Sequence, residues 1–289
     1  MKRPSDVHLP FFAYGLFKPG QLCYPRIKDL VASSARCTVS GIFKERDGIP
    51  LLVLGTNYPP INGYLIRFIA GREGDAYERI VGIEPDKVYR WDVVKVNKAS
   101  DANALVGKRA DRGSSDIEHL DEWDGKTDPF FKQGIAEIEA ILEANSSFDW
   151  DYRALLRLQM AYTLLWSAIE RYAGLKYHLG NRSNEKVYKI AGEECFRNAL
   201  KNVVHNTREV YSTTDLQKYT LDPSDPDKSI RYYYQVRSNA VHRGKAVVRD
   251  FETVKSSLEE LLIVFKELLS DSFQDSDNYR IQPTSFSRG

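Results

Sequence analysis

The chain has 289 residues, with 42% hydrophobic and 28% charged side chains, an ordinary globular mixture that excludes wholesale disorder and leaves room for two domains. Lys plus Arg (41) nearly cancels Asp plus Glu (40), so bulk charge gives no nucleic-acid surface and any such surface must be local. No apolar run approaches a membrane span, and Cys23, Cys37 and Cys195 lack the spacing of a zinc site or disulfide framework, so no membrane, metal or cofactor is expected.

The start, Met1–Pro10, has two basic residues and no apolar stretch behind them, so a signal peptide is not expected and the expected compartment is the cytoplasm. The first hundred residues then read as sheet. Segments 11–17, 38–43, 49–54, 61–69 and 88–96 are short and rich in β-branched or aromatic residues, with turn signals at 19–20, 47–48, 57–60 and 71–75. One helix is expected around Tyr24–Ala32. From Ala99 to Thr127 the chain turns polar. Asp128-Pro129 opens a helix whose apolar face is Ile135, Ile138, Ile141 and Leu142, and this helix is expected to close a first domain at residue 146.

The period then becomes helical. Leu158, Ala161, Leu165, Ala168 and Tyr172 step down one face. A second helix is expected over Glu185–Val204, a connector over 213–228, a third helix from Ile230 to Gly244, and a last one from Asp250 past Leu269. The resulting expectation is an α+β chain. A small mixed β-barrel-like domain (1–146) precedes an all-α four-helix bundle (147–275), and 276–289 form a flexible tail.

Tyr14-Gly15-Leu16-Phe17-Lys18-Pro19-Gly20-Gln21 stands where a strand enters a loop. Its glycines permit close backbone approach, and such a loop aims several N–H groups at one anion. Taken alone it reads as a strand-to-helix turn. It resembles the Tyr-Gly-x-Leu-x-x-Gly signature of the γ-glutamylcyclotransferase-like (AIG2-like) superfamily. The resemblance continues through Gly41, Gly48-Ile49-Pro50-Leu51-Leu52, Gly63-Tyr64-Leu65-Ile66 and Ile83-Glu84 with Tyr89. It implies Glu84 as general acid/base on a substrate α-amine, with Tyr14, Gly15, Leu16, Phe17 and Tyr89 around a small glutamyl-like ligand.

Between Lys228 and Arg249 stand six basic residues (Lys228, Arg231, Arg237, Arg243, Lys245, Arg249) and no acid, interleaved with Tyr232, Tyr233 and Tyr234. Such a stretch attracts phosphates and offers stacking faces, or else its tyrosines are core and its bases serve a helix end. Arg237 and His242 suit metal-free RNA cleavage. The imidazole moves a proton near neutral pH, the guanidinium neutralises the scissile phosphate, and the RNA 2′-OH is the nucleophile. An Arg-x4-His motif late in a helical bundle, followed by Gly244 and a long final helix, resembles the HEPN superfamily, as does Trp166-Ser167-Ala168-Ile169-Glu170-Arg171. That resemblance implies a homodimeric ribonuclease with Arg237 and His242 as the catalytic pair and Asn239 or Ser238 in support.

The preferred expectation is therefore a metal-independent endoribonuclease acting on tRNA or mRNA, of the toxin or anti-phage defence kind, with the first domain sensing a ligand. The alternatives are a Glu84 cyclotransferase with a bundle that only dimerises it, and a binding protein without turnover.

Overall fold

The computed structural model describes residues 1–46, 49–84, 86–108, 115–116, 120–177, 183–212, 215–243 and 248–273, of which 115, 116, 183, 184, 242, 243, 248 and 249 by backbone alone. Two compact units divide the chain: Met1–Asp128 with Leu175–Gly180, and Pro129–Gly174 with Asn181–Gly289. Among the described residues no helix is long and apolar enough to cross a membrane.

The first unit is a curled, nearly closed sheet. Its strands are β1 (Phe11–Ala13), β2 (Val31–Arg46), β3 (Ile49–Leu54), β4 (Pro60–Phe68), β5 (Tyr89–Val96) and β6 (Ser100–Gly107), with α1 (Glu73–Ile83) between β4 and β5. The order is β3-β2-β4-β1-β6-β5, with a two-residue strand β7 (Ser115–Asp116) beside β2. Only the β1–β6 pair is parallel. In β2 the buried positions alternate, Cys37, Val39, Gly41 and Phe43, as one face of a pleated strand requires. Phe12, Phe43, Leu51, Leu52, Ile66 and Tyr77 lie in the core. At Gly63 a Cβ would stand 2.6 Å from the Phe12 ring and 2.8 Å from the Ala13 carbonyl, so only glycine lets β4 lie this close over β1.

Several sequence expectations change here. The helix expected at 24–32 is two short 3-10 turns, Tyr24–Arg26 and Lys28–Leu30, after which β2 starts. Of the stretch read as a turn at 71–75, Gly71 stands in a turn with φ of 80°, while Glu73–Asp75 open α1. Part of the polar stretch after Ala99 is β6, buried on both faces from Ala102 to Val106.

In the second unit Phe130–Gly134 form a wide π turn that runs into α2 (Ile135–Ala144). The expected first-domain boundary at 146 included this helix, but it groups with the second unit. Phe131 packs edge-on against Phe265, and Lys266 reaches Glu139. The remaining elements are α3 (Arg153–Tyr177), α4 (Ser183–Lys189), α5 (Glu194–Val203), β8 (Arg208–Tyr211), β9 (Lys218–Leu221), α6 (Pro226–Arg243) and α7 (Val248–Ser272). The single helix expected over 185–204 is broken by a 3-10 turn at Ile190–Gly192. The unit is not all-α, because β8 and β9 pair as an antiparallel hairpin, β9 lying within the stretch expected as a connector. Tyr162 Oη donates to the Tyr233 carbonyl at 3.0 Å and ties α3 to α6, while the Tyr172 and Phe265 rings meet edge to face between α3 and α7. The tail from 274 onward lies outside the described residues.

Candidate functional sites

One cavity in the first unit, about 20 Å³, is lined by Phe11, Ala13, Tyr14, Gly15, Leu16, Phe17, Glu84, Tyr89 and Leu105. All six residues singled out for a first-domain ligand site are among them. β1 delivers Tyr14 and the loop behind it, the C-terminal end of α1 delivers Glu84, and β5 opens with Tyr89. A side chain at position 15 would press within 3.3 Å of the Pro50 ring, which explains the glycine there. The cavity holds about one water. A glutamyl-sized ligand therefore requires the lining to open.

Glu84 is the chemical centre of this cavity. It is 8% exposed, and among the described residues no group donates a hydrogen bond to its carboxyl. Burial alone pushes its pKa up to about 8. Its position as the C-cap of α1, at the negative end of the helix, acts in the same direction. At neutral pH the carboxyl is mainly protonated, and it gains and loses its proton within the pH range of general acid/base work.

The two tyrosines are committed elsewhere. Tyr14 Oη donates to the Leu105 carbonyl at 2.7 Å and accepts from Leu52 N–H at 3.3 Å, and Tyr89 Oη donates to the Pro50 carbonyl at 2.9 Å. Both phenols, and the buried Cys23 thiol, are held protonated first by desolvation and further by the nearby Glu84. They shape the cavity rather than move protons.

Along the loop, Lys18 N–H donates to the Gly15 carbonyl at 3.0 Å and Cys23 N–H to the Leu16 carbonyl at 2.9 Å. Among the described residues the N–H groups of Gly15, Leu16 and Phe17 have no acceptor. Gly15, Leu16 and Phe17 line the same cavity as Glu84. A feature the sequence reading missed fixes this loop. Lys18, only 3% exposed, donates to Glu122 Oε1 at 2.7 Å and to the Trp123 carbonyl at 2.5 Å, and Gln21 bonds Asp124 and the Gly125 N–H. The partners lie about a hundred residues away in sequence, and no local pattern announces them.

The candidate site of the second unit is described only in part. The side chains of His242, Arg243 and Arg249, and all of Lys245, lie outside the described residues. Arg237 is half-buried, with its guanidinium 5.8 Å from the Tyr234 ring centroid and a buried Nε without a partner. Along α6 the five-residue step from Arg237 to His242 turns the backbone so that the two positions stand roughly 140° apart around the axis. A single helix therefore does not bring this pair to one face. Asn239 is engaged, accepting from Gln235 Nε2 at 2.7 Å and donating to the Tyr211 carbonyl at 2.9 Å. Ser238 is half-buried, Lys228 pairs with Asp225 at 2.8 Å, and Arg231 lies over the Tyr188 ring. Trp166 is buried, edge-on to Tyr234. The described residues hold no group of three or more His, Cys, Asp or Glu arranged for a metal.

No family model matches this chain, and no curated protein does. Among solved structures it is similar to c4763, a uropathogenic E. coli-specific protein, at a TM-score of 0.33 and 11% identity over 40% of this chain and 91% of that one. It is also similar to allophanate hydrolase of Kluyveromyces lactis, in two structures. One gives a TM-score of 0.34 with 14% identity over 43% of this chain and 22% of the hydrolase. The other, selenomethionine-substituted, gives 0.32 and 14% over 42% and 21%.

Proposed function

We propose that the first unit performs γ-glutamyl-type cyclotransferase chemistry, with Glu84 as its general acid/base. The observation that carries this reading is one cavity lined both by an unpartnered buried carboxyl and by Gly15, Leu16 and Phe17, whose N–H groups have no acceptor among the described residues. A glutamyl head has one carboxylate for the N–H groups of that loop and one amine for Glu84. The ionised Glu84 takes a proton from the α-amine, and the freed nitrogen attacks the γ-carbonyl. The new carbon–nitrogen bond closes 5-oxoproline, the old amide bond breaks, and the departing amine takes the proton back from Glu84. The test is 5-oxoproline release from γ-glutamyl dipeptides by the purified chain. Activity that rises as pH approaches about 8 and vanishes in Glu84→Gln supports the reading. Equal release by the variant, or none by either protein, sinks it.

A second reading is favoured by Arg237, a half-buried guanidinium without a carboxylate partner among the described residues, on an acid-free stretch of helix. In this reading α3, α5, α6 and α7 form a HEPN-type four-helix bundle that dimerises. The Arg237/His242 pairs of two copies would then face each other across a composite site, which would cleave tRNA or mRNA without a metal, leaving 2′,3′-cyclic phosphate. A cytoplasmic toxin or defence effector with a ligand-sensing first unit is the biological form of this reading. Cleavage of total RNA in EDTA, absent in His242→Ala, tests it directly.

A further inference from the structure

The second unit carries a ladder of alternating guanidinium groups and phenol rings that neither reading has used in full. On α6, Arg231, Tyr234 and Arg237 recur every three residues, and α4 supplies Tyr188. The Arg231 guanidinium lies over the Tyr188 ring, 4.3 Å from its centroid. Tyr188 meets Tyr234 edge-on at 6.0 Å, and the Arg237 guanidinium lies 5.8 Å from the Tyr234 centroid. Neither arginine has a carboxylate partner among the described residues. The acid-free composition of α6 beyond Asp227 keeps these charges uncompensated.

The Arg231 side chain is exposed, and among the described residues nothing accepts from its N–H groups while its guanidinium lies over the Tyr188 ring. That combination suits one chemistry, a phosphodiester strand with unpaired bases: phosphates meet the N–H groups, and a base stacks on the guanidinium-covered ring. We propose that Arg231, Tyr188, Tyr234 and Arg237 form a binding strip for single-stranded RNA along α6. The proposal shares α6 with the ribonuclease reading, but binding by the strip does not require cleavage.

The test is fluorescence-anisotropy titration of a labelled single-stranded RNA dodecamer with the full chain carrying His242→Ala, which separates binding from turnover. Arg231→Gln is expected to weaken binding severalfold and to lower the slope of log affinity against log salt by about 0.7, the loss of one phosphate contact. Tyr188→Leu is expected to weaken it roughly tenfold at constant salt. Arg231→Lys, which keeps the charge and loses the plane, should fall between wild type and Arg231→Gln. Tyr188→Phe should bind as the parent does, and it guards against a folding defect. The strip is overturned by absence of RNA binding, by Arg231→Gln and Tyr188→Leu binding as the parent does, or by inorganic polyphosphate binding equally well with no loss in Tyr188→Leu. RNA bound as expected beside no cleavage by the unsubstituted chain would end the ribonuclease reading and leave the strip standing.

Discussion

Replacing Glu84 by Gln should stabilise the protein, and by an amount that depends on pH. In the unfolded chain the carboxyl titrates at its ordinary 4.5, whereas in the folded unit it titrates at about 8. Below 4.5 it is protonated in both states and contributes no difference. Between 4.5 and about 8 the unfolded state ionises while the folded state stays protonated, so folding loses stability as pH rises, and the loss levels off above the folded value. At about 1.4 kcal/mol per pH unit, the ceiling is about 5 kcal/mol. Local relaxation and the high effective dielectric found even at buried sites bring the expected penalty to about 2–3 kcal/mol. Gln occupies the same volume and never ionises. Calorimetric midpoints of wild type and Glu84→Gln should coincide near pH 4.5 and diverge by about 10 °C near pH 8.5, Glu84→Gln being the more stable. A gap that stays constant with pH, or closes as pH rises, would refute the argument that Glu84 is buried without a partner.

Two more substitutions test the framework around it. Lys18→Met removes the donor to Glu122 and the Trp123 carbonyl, and should cost about 1–3 kcal/mol while speeding amide hydrogen exchange at Cys23, whose N–H donates to the Leu16 carbonyl, since the loop loses its clamp. Gly63→Ala should destabilise by about 1–3 kcal/mol in thermal unfolding, because its methyl group meets the Phe12 ring and the backbone of Ala13, and backbone cannot move aside cheaply.

How much of this was legible in the sequence differs from element to element. The β-branched segments placed most of the sheet, and the glycine-rich loop with Glu84 named the cavity's lining before any fold was known. α1 escaped because its buried residues, Ala76, Tyr77 and Ile80, are few and follow a Gly-rich stretch that imitates a turn. β6 escaped because it lies between β1 and β5 and is buried on both faces, which removes the alternation that marks a half-exposed strand. β9 sits just ahead of two prolines and two aspartates, which read as connector although the four residues before them pair with β8. The Lys18 clamp depends on partners distant in sequence, and only the folded chain brings them together.

The contrast between Lys18 and Glu84 is what favours chemistry over packing at the cavity. Both are charged residues buried in the same unit, and each incurs a desolvation penalty. Lys18 recovers it through a carboxylate and a carbonyl, the arrangement expected of a structural cation. Glu84 recovers nothing from the described residues, although Gln would fill its place without the pH-dependent loss. It also lines a cavity, which Lys18 does not. A native unit holds only about 5–15 kcal/mol of net stability, so an uncompensated acid takes a sizeable share of it. An acid kept at that cost, poised to titrate near neutral pH at the wall of a cavity, is better accounted for by a proton to be moved than by a space to be filled.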